Sequence, residues 1–200
     1  MIKVAVLVSG GGTNLQAIID AEKAGIITSG KISLVVASRS DAYALTRAEN
    51  AGIPSAVVRR KDYADPKEYD AALLKVLKDN DIDLVVMAGF LSIVGEELID
   101  AYRNRILNIH PSLLPSFGGQ GFYGLKVHEA ALERGVKVTG ATVHFVNEIP
   151  DGGEIIFQKA VEIREDDTPE TLQRRVMEEA EWILLPAAVE KVSKDLANAK

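Results

Sequence analysis

Through the first two thirds of the chain, short runs rich in β-branched residues alternate with longer stretches of helical period, and no other feature constrains the fold as tightly. Such alternation builds parallel β-α-β units, because strands buried on both faces are covered by the helices that connect them. Residues 2–8, 32–37, 55–58, 84–88 and 106–109 read as strands, and residues 14–24, 42–51, 66–79 and 96–102 as helices. Gly25 and Gly52 fall where two helices should stop. Asp65 and Pro66 supply an N-cap and a first-turn proline for the third helix.

After residue 135 the texture changes. Residues 137–147 and 154–163 are extended runs joined by residues 148–153, which predicts a β-hairpin that continues the sheet in antiparallel fashion. A last helix is expected after Asp167-Thr168-Pro169, with Thr168 as its cap. Pro186 should kink or divide that helix, and the polar tail 191–200 should fray. The expected architecture is one α/β domain over residues 1–200: a doubly wound, mostly parallel, Rossmann-like sheet with a C-terminal antiparallel hairpin and helix.

Composition narrows the partners. The 200 residues are 47% apolar, enough for one core, and a net charge of −6 argues against a surface that neutralises nucleic-acid phosphates. No cysteine is present, so disulfides, thiolate chemistry and cysteine-ligated zinc are excluded. Three histidines without a paired ligand spacing suggest no metal. The first apolar run is too short for a signal peptide, and no stretch approaches the roughly 20 apolar residues that span a bilayer. The expectation is a cytoplasmic protein with no membrane partner.

Ser9-Gly10-Gly11-Gly12-Thr13-Asn14 stands where the first strand gives way to the first helix, so its N–H groups can converge on an anion. The competing reading is a tight turn that needs glycine only for positive φ. Leu15 replaces the last glycine of a dinucleotide fingerprint, and no acidic residue ends the second strand, which disfavours NAD. Asp41 beside Arg39 weakens a case for NADP, and the P-loop lysine is missing. A phosphomonoester is the simpler guest.

Asn108 and His110 are two apart on a strand and share a face, with Pro111 ending the pairing at the strand's C-terminal end. In an open parallel sheet that edge also carries the glycine turn, so both should meet in one cleft. Each residue has a plainer reading, as a backbone-bonded histidine and a turn-stabilising amide. Together they are equipment for acyl transfer, since an amide and an imidazolium can both donate to a developing oxyanion. Asp151, before Gly152 and Gly153, is the carboxylate such an imidazolium needs, although as a turn residue it would bond only its own backbone. Glu148 competes for that role on charge, and spacing does not choose between them.

In order along the chain, Ser9 to Asn14, Asn-Ile-His-Pro-Ser-Leu-Leu-Pro from Asn108 to Pro115, Gly-Ala-Thr-Val-His-Phe from Gly140 to Phe145, and Asp151 to Gly153 resemble the phosphoribosylglycinamide formyltransferases of purine biosynthesis. These are folate-dependent enzymes, and the resemblance covers essentially the whole chain. It implies transfer of the formyl group of 10-formyltetrahydrofolate to the amine of glycinamide ribonucleotide, with small-molecule substrates and neither nucleic acid nor metal. By the same resemblance Asn108, His110 and Asp151 are catalytic, while Gly11, Gly12, Thr13, Asn14, Gly89, Pro111 and Glu181 meet the phosphate and ribose. The folate would lie among Phe90, Leu91, Ser92, Ile93, Val94, Asn108, Val146, Asn147 and Glu148. His144 matches a histidine near the site. Whether the chain is a monomer or a homodimer stays open.

Three departures bear on binding. The Gly118 to Gly124 stretch differs from the proline and histidine pattern of other members, Ser92 stands where an arginine is common, and Pro66 replaces a base. Arg60, Lys67 or another cation then falls to the substrate phosphate. Rival readings are the catalytic domain of a tRNA formyltransferase, a formyltetrahydrofolate hydrolase and a non-catalytic nucleotide-binding module; missing extra domains and the acidic balance speak against the first two, and the Asn108 and His110 pair against the third. The implied mechanism starts from an amine of pKa near ~8, already partly neutral in the cell. Asn108 and a cationic His110 would hold the oxyanion, and Asp151 would keep the imidazole charged and accept a proton.

Overall fold

A computed structural model describes residues 1–199. Within them, β1 (Ile2–Val8), β2 (Gly30–Ala37), β3 (Ser55–Val57), β4 (Leu84–Met87), β5 (Ile106–His110), β6 (Val138–Phe145) and β7 (Ile155–Glu162) form one sheet in the order β3-β2-β1-β4-β5-β6-β7. The first five strands are parallel, and β6 and β7 continue antiparallel as a hairpin. The expected α/β class, sheet and hairpin are thus observed.

The sheet is covered on both faces, and β1 shows how its sequence does this. Val4, Val6 and Val8 point into a core shared with α1 (Thr13–Lys23), α2 (Tyr43–Asn50), α6 (Pro169–Val176) and α7 (Trp182–Asn198). Ala5 and Leu7 point the other way, into a core built with α3 (Pro66–Asp79) and α4 (Glu96–Ala101). Alternate residues therefore serve opposite layers, which explains why β1 reads as an apolar run broken only at the exposed Lys3. Asp65 accepts the Lys67 N–H at 2.8 Å ahead of Pro66, and Thr168 forms a capping box with Thr171, as their sequence signals predict.

Three features differ from expectation. Leu125–Arg134 (α5) is a helix the periodicity hides, because a fully buried His128 interrupts the stripe of Val127 and Ala131. Pro186 does not divide the last helix. The division falls earlier, at a π-helical turn, Met177–Glu181, which ends just before Trp182, the residue whose carbonyl the proline ring would meet in α geometry. The tail stays helical to Asn198 instead of fraying from residue 191, because Val192 and Ser193 are buried in α7.

The winding reverses between β1 and β4, which opens a crevice at their C-terminal ends. The two loops are tied there by the Ser9 N–H, which donates to the Gly89 carbonyl at 3.2 Å.

Candidate active site

That crevice is a cleft of about 780 Å³ lined by residues 89–94, 108–111, 119–124 and 146–151, with Asn14, His128, His144 and Glu181. Phe90, Leu91, Ser92, Ile93 and Val94 line it together with Val146, Asn147 and Glu148, and so do Gly89 and Pro111. Gly11, Gly12 and Thr13 do not line it; only Asn14 of the glycine turn does. Arg60 lines a separate neighbouring cavity, and Lys67 lines neither.

The polar centre joins β5, β6 and two loops. His110 ends β5 at 4% exposure, and its Nε2 lies 2.8 Å from the Phe117 carbonyl. A carbonyl only accepts, so the His110 proton is assigned to Nε2, leaving a lone pair on Nδ1. By the same argument His144 carries its proton on Nδ1, 2.8 Å from the Phe145 carbonyl. Asn108 Nδ2 then donates to His144 Nε2 at 3.2 Å and, more weakly, to Asp151 Oδ1 at 3.5 Å. Asp151 Oδ2 accepts the Gly119 N–H at 2.8 Å and stands 3.5 Å from His110 Nδ1. Two lone pairs thus face each other between His110 and Asp151, a gap that a proton would close.

The structure distinguishes the two candidate carboxylates. Asp151 is the one beside His110 and His144, with its side chain 17% exposed. Glu148 lies at the rim, exposed and paired with Arg103 at 2.6 Å. Burial pushes the Asp151 carboxyl up, but the His144 contact, the His110 ring and the Gly119 N–H together outweigh it and hold the group below its ordinary value. Burial weighs against the imidazolium expected at His110: it lowers the ring's pKa more than Asp151 and the Phe117 carbonyl raise it, which favours the neutral form. His128, unnoticed in the sequence, lies behind it with neither ring nitrogen hydrogen-bonded, and burial followed by the His110 charge lowers it to about 4. A histidine at a stripe position of an unread helix carries no signal that would have found it.

At the far end of the cleft, Glu181 closes the π-helical turn and accepts the Asn14 Nδ2 proton at 2.7 Å. Its burial raises it to about 7 against that hydrogen bond. Beside it the glycine turn serves two ends. Gly12, the N-cap of α1, has φ of 71°, and a Cβ there would meet Ala44 Cβ at 2.6 Å, so the fold itself needs this glycine. Gly10 and Gly11 have open space where a Cβ would stand, leaving bare backbone beside the helix N-terminus.

Residues 2–189 match the family described as formyl transferase. The chain is 45% identical over 192 residues to the trifunctional purine biosynthetic protein adenosine-3 of Gallus gallus, covering 96% of this chain and 18% of that protein. It thus spans about a fifth of the length of such multifunctional relatives. It is 42% identical to the phosphoribosylglycinamide formyltransferase of Haemophilus influenzae, covering 94% of this chain and 86% of that one. The crystal structure of glycinamide ribonucleotide transformylase 1 from Symbiobacterium toebii superposes with a TM-score of 0.91 at 44% identity, covering 98% of this chain and 89% of that one.

Proposed function

The chain belongs to the formyl transferase family, and from that premise we propose that it is a single catalytic domain moving the formyl group of 10-formyltetrahydrofolate to the amine of glycinamide ribonucleotide. The observation that carries this reading is the facing pair of His110 Nδ1 and Asp151 Oδ2, 3.5 Å apart beside Asn108 in a cleft that ends on Asn14 and Glu181. Acyl transfer to an amine needs a place for one proton and donors for one oxyanion.

The flat ring of the donor substrate fits between residues 90–94 and 146–149, whose apolar members give it a dry wall. Asn14 and Glu181 offer a donor and an acceptor to a sugar, and the bare backbone at Gly10 and Gly11 offers N–H groups to a phosphate. The amine nitrogen then bonds to the formyl carbon and the carbonyl electron pair moves onto oxygen. Asn108 meets that oxygen by giving up its long contact to Asp151. One amine proton passes to His110 Nδ1, where Asp151 stabilises the new imidazolium, and it returns to the donor nitrogen as that C–N bond breaks. His144 keeps the Asn108 amide oriented throughout.

The test is to incubate the chain with 10-formyltetrahydrofolate, with and without glycinamide ribonucleotide, and to follow formylated product. Acceptor-dependent product is expected; loss of the formyl group at the same rate without acceptor would make the chain a hydrolase.

A further inference from the structure

The glycine turn at the start of α1 is held from outside by α2, and the hold acts on its carbonyls. The Ala44 N–H donates to the Gly10 carbonyl at 3.1 Å, and Arg47 Nε donates to the Gly11 carbonyl at 2.8 Å. α2 has no side-chain cap, so a first-turn N–H such as that of Ala44 needs an acceptor outside the helix. Arg47 is tied twice more. Its Nη1 donates to Gln16 Oε1 at 3.1 Å, and its guanidinium lies over the Tyr43 ring, 5.1 Å from the centroid. A Cβ on Gly12 would stand 3.4 Å from Arg47 Cδ as well as striking Ala44, so α2 packs directly on the turn.

Fixing a carbonyl also fixes the N–H beyond it. The peptides after Gly10 and Gly11 are both trans, and in a trans peptide the C=O and the next residue's N–H point to opposite sides. With the Gly10 and Gly11 carbonyls turned to α2, the Gly11 and Gly12 N–H groups are turned away from it together. Neither meets an acceptor among the described residues. Successive N–H groups aimed alike make an anion-binding concavity, and these adjoin the N-terminus of α1. Glycines alone would not hold this arrangement, because a residue without Cβ has many backbone conformations open to it.

We propose that Arg47 is a positioning residue for the acceptor's phosphate, holding the peptide between Gly11 and Gly12 so that its N–H is preset for the anion. The proposal rests on the reading that this turn receives the phosphate of the ribonucleotide. Arg47 lines neither the cleft nor its neighbouring cavity, so its charge is set back and its effect passes through the Gly11 carbonyl. Without that hold the turn would have to be ordered at the moment of binding, at a cost in affinity.

Side-chain length makes the test. Glutamine places its amide nitrogen as many bonds from Cα as arginine places Nε, so Arg47→Gln keeps an N–H for Gly11 without the charge. Arg47→Met keeps the stem with neither. Arg47→Met should raise KM for glycinamide ribonucleotide about tenfold, the cost of misorienting hydrogen bonds to a charged group, with kcat and the KM of the formyl donor within about twofold. Arg47→Gln should bring the KM back to within about threefold of the unaltered chain. Glycinamide ribonucleoside, which lacks the phosphate, should be used equally by all three proteins. An unchanged KM in Arg47→Met overturns the proposal. So does an Arg47→Gln as impaired as Arg47→Met, which would make charge the agent, or an equal loss with the ribonucleoside, which would make the defect general. Gln16→Ala removes one anchor of the guanidinium and should raise the same KM by a smaller factor. It replaces Arg47→Met if that variant melts early, and no rise there also overturns the proposal. Equilibrium binding of ribose 5-phosphate to the same variants gives the comparison without turnover. Formyl transfer with phosphate binding indifferent to position 47 defeats only this proposal, and phosphate binding that follows position 47 without transfer defeats only the reaction.

Discussion

Replacing Glu181 with glutamine tests the end of the cleft through stability and binding at once. The carboxyl is 6% exposed, keeps one hydrogen bond, from Asn14, and is raised by burial to about 7 from an ordinary 4.5. The folded chain therefore holds a proton over a range in which the unfolded chain has released it. Stability linked to this group is fully present below the unfolded value and is lost as pH rises through about 7. At 1.36 kcal/mol per unit, the loss approaches roughly 3 kcal/mol by about pH 8. Glu181→Gln keeps the shape and an acceptor for Asn14 but has no proton to lose. Its stability relative to the unaltered chain should grow by roughly 2–3 kcal/mol between about pH 5 and pH 8. Urea unfolding of both proteins across that range measures it, and parallel stability curves would refute the reasoning. Binding gives the opposite sign, because a sugar hydroxyl that donates to the carboxylate favours its charged form. Affinity for the ribonucleotide should rise with pH through about 7 in the unaltered chain and lose that dependence in Glu181→Gln.

Other consequences follow from the polar centre and its loops. Asn108→Ala should fold normally and lose about 10²- to 10³-fold in turnover, the cost of one oxyanion donor; a near-normal rate would remove Asn108 from the chemistry. Because Asp151 raises the His110 pKa against burial, Asp151→Asn should move the His110 titration, followed by NMR, to still lower pH while turnover falls. An unmoved midpoint would mean the two do not interact. A Cβ at Gly153 would stand 1.7 Å from the Phe145 carbonyl oxygen, so Gly153→Ala should cost about 3 kcal/mol or more in a thermal melt and reduce activity by shifting the Asp151 loop.

Most strands were legible because burial on both faces leaves a local mark. β1 is apolar almost throughout, and its glycine turn and the Asp65-Pro66 cap punctuate the pattern where the structure has its boundaries. What was hidden depends on contacts distant in sequence. α5 buries a histidine where a periodic reading wants an apolar residue, since the residues that enclose it belong to other elements. The proline rule is local too, and it could not foresee that the last helix would widen at Met177–Glu181 and then run through Pro186 to Asn198.

The same division runs through the site, and it changes the chemistry. Strand parity is enough to bring Asn108 and His110 to one edge, whereas nothing near Asp151 or Glu148 in sequence distinguishes them. The choice is made by Gly119, which donates to Asp151 from 32 residues away, and by Arg103, which takes Glu148 from 45 residues away. Asp151 also adopts φ of 54°, a left-handed conformation that aspartate tolerates better than most residues. The charge of His110 is subtler. A neighbouring carboxylate predicts an imidazolium, but the ring is 4% exposed, and burial outweighs a carboxylate that stands 3.5 Å away. An imidazolium at rest would have no lone pair for the attacking amine's proton. A neutral ring beside Asp151 would have one, so in the proposed reaction the burial of His110 would favour a proton transfer from the amine to Nδ1 as the oxyanion forms.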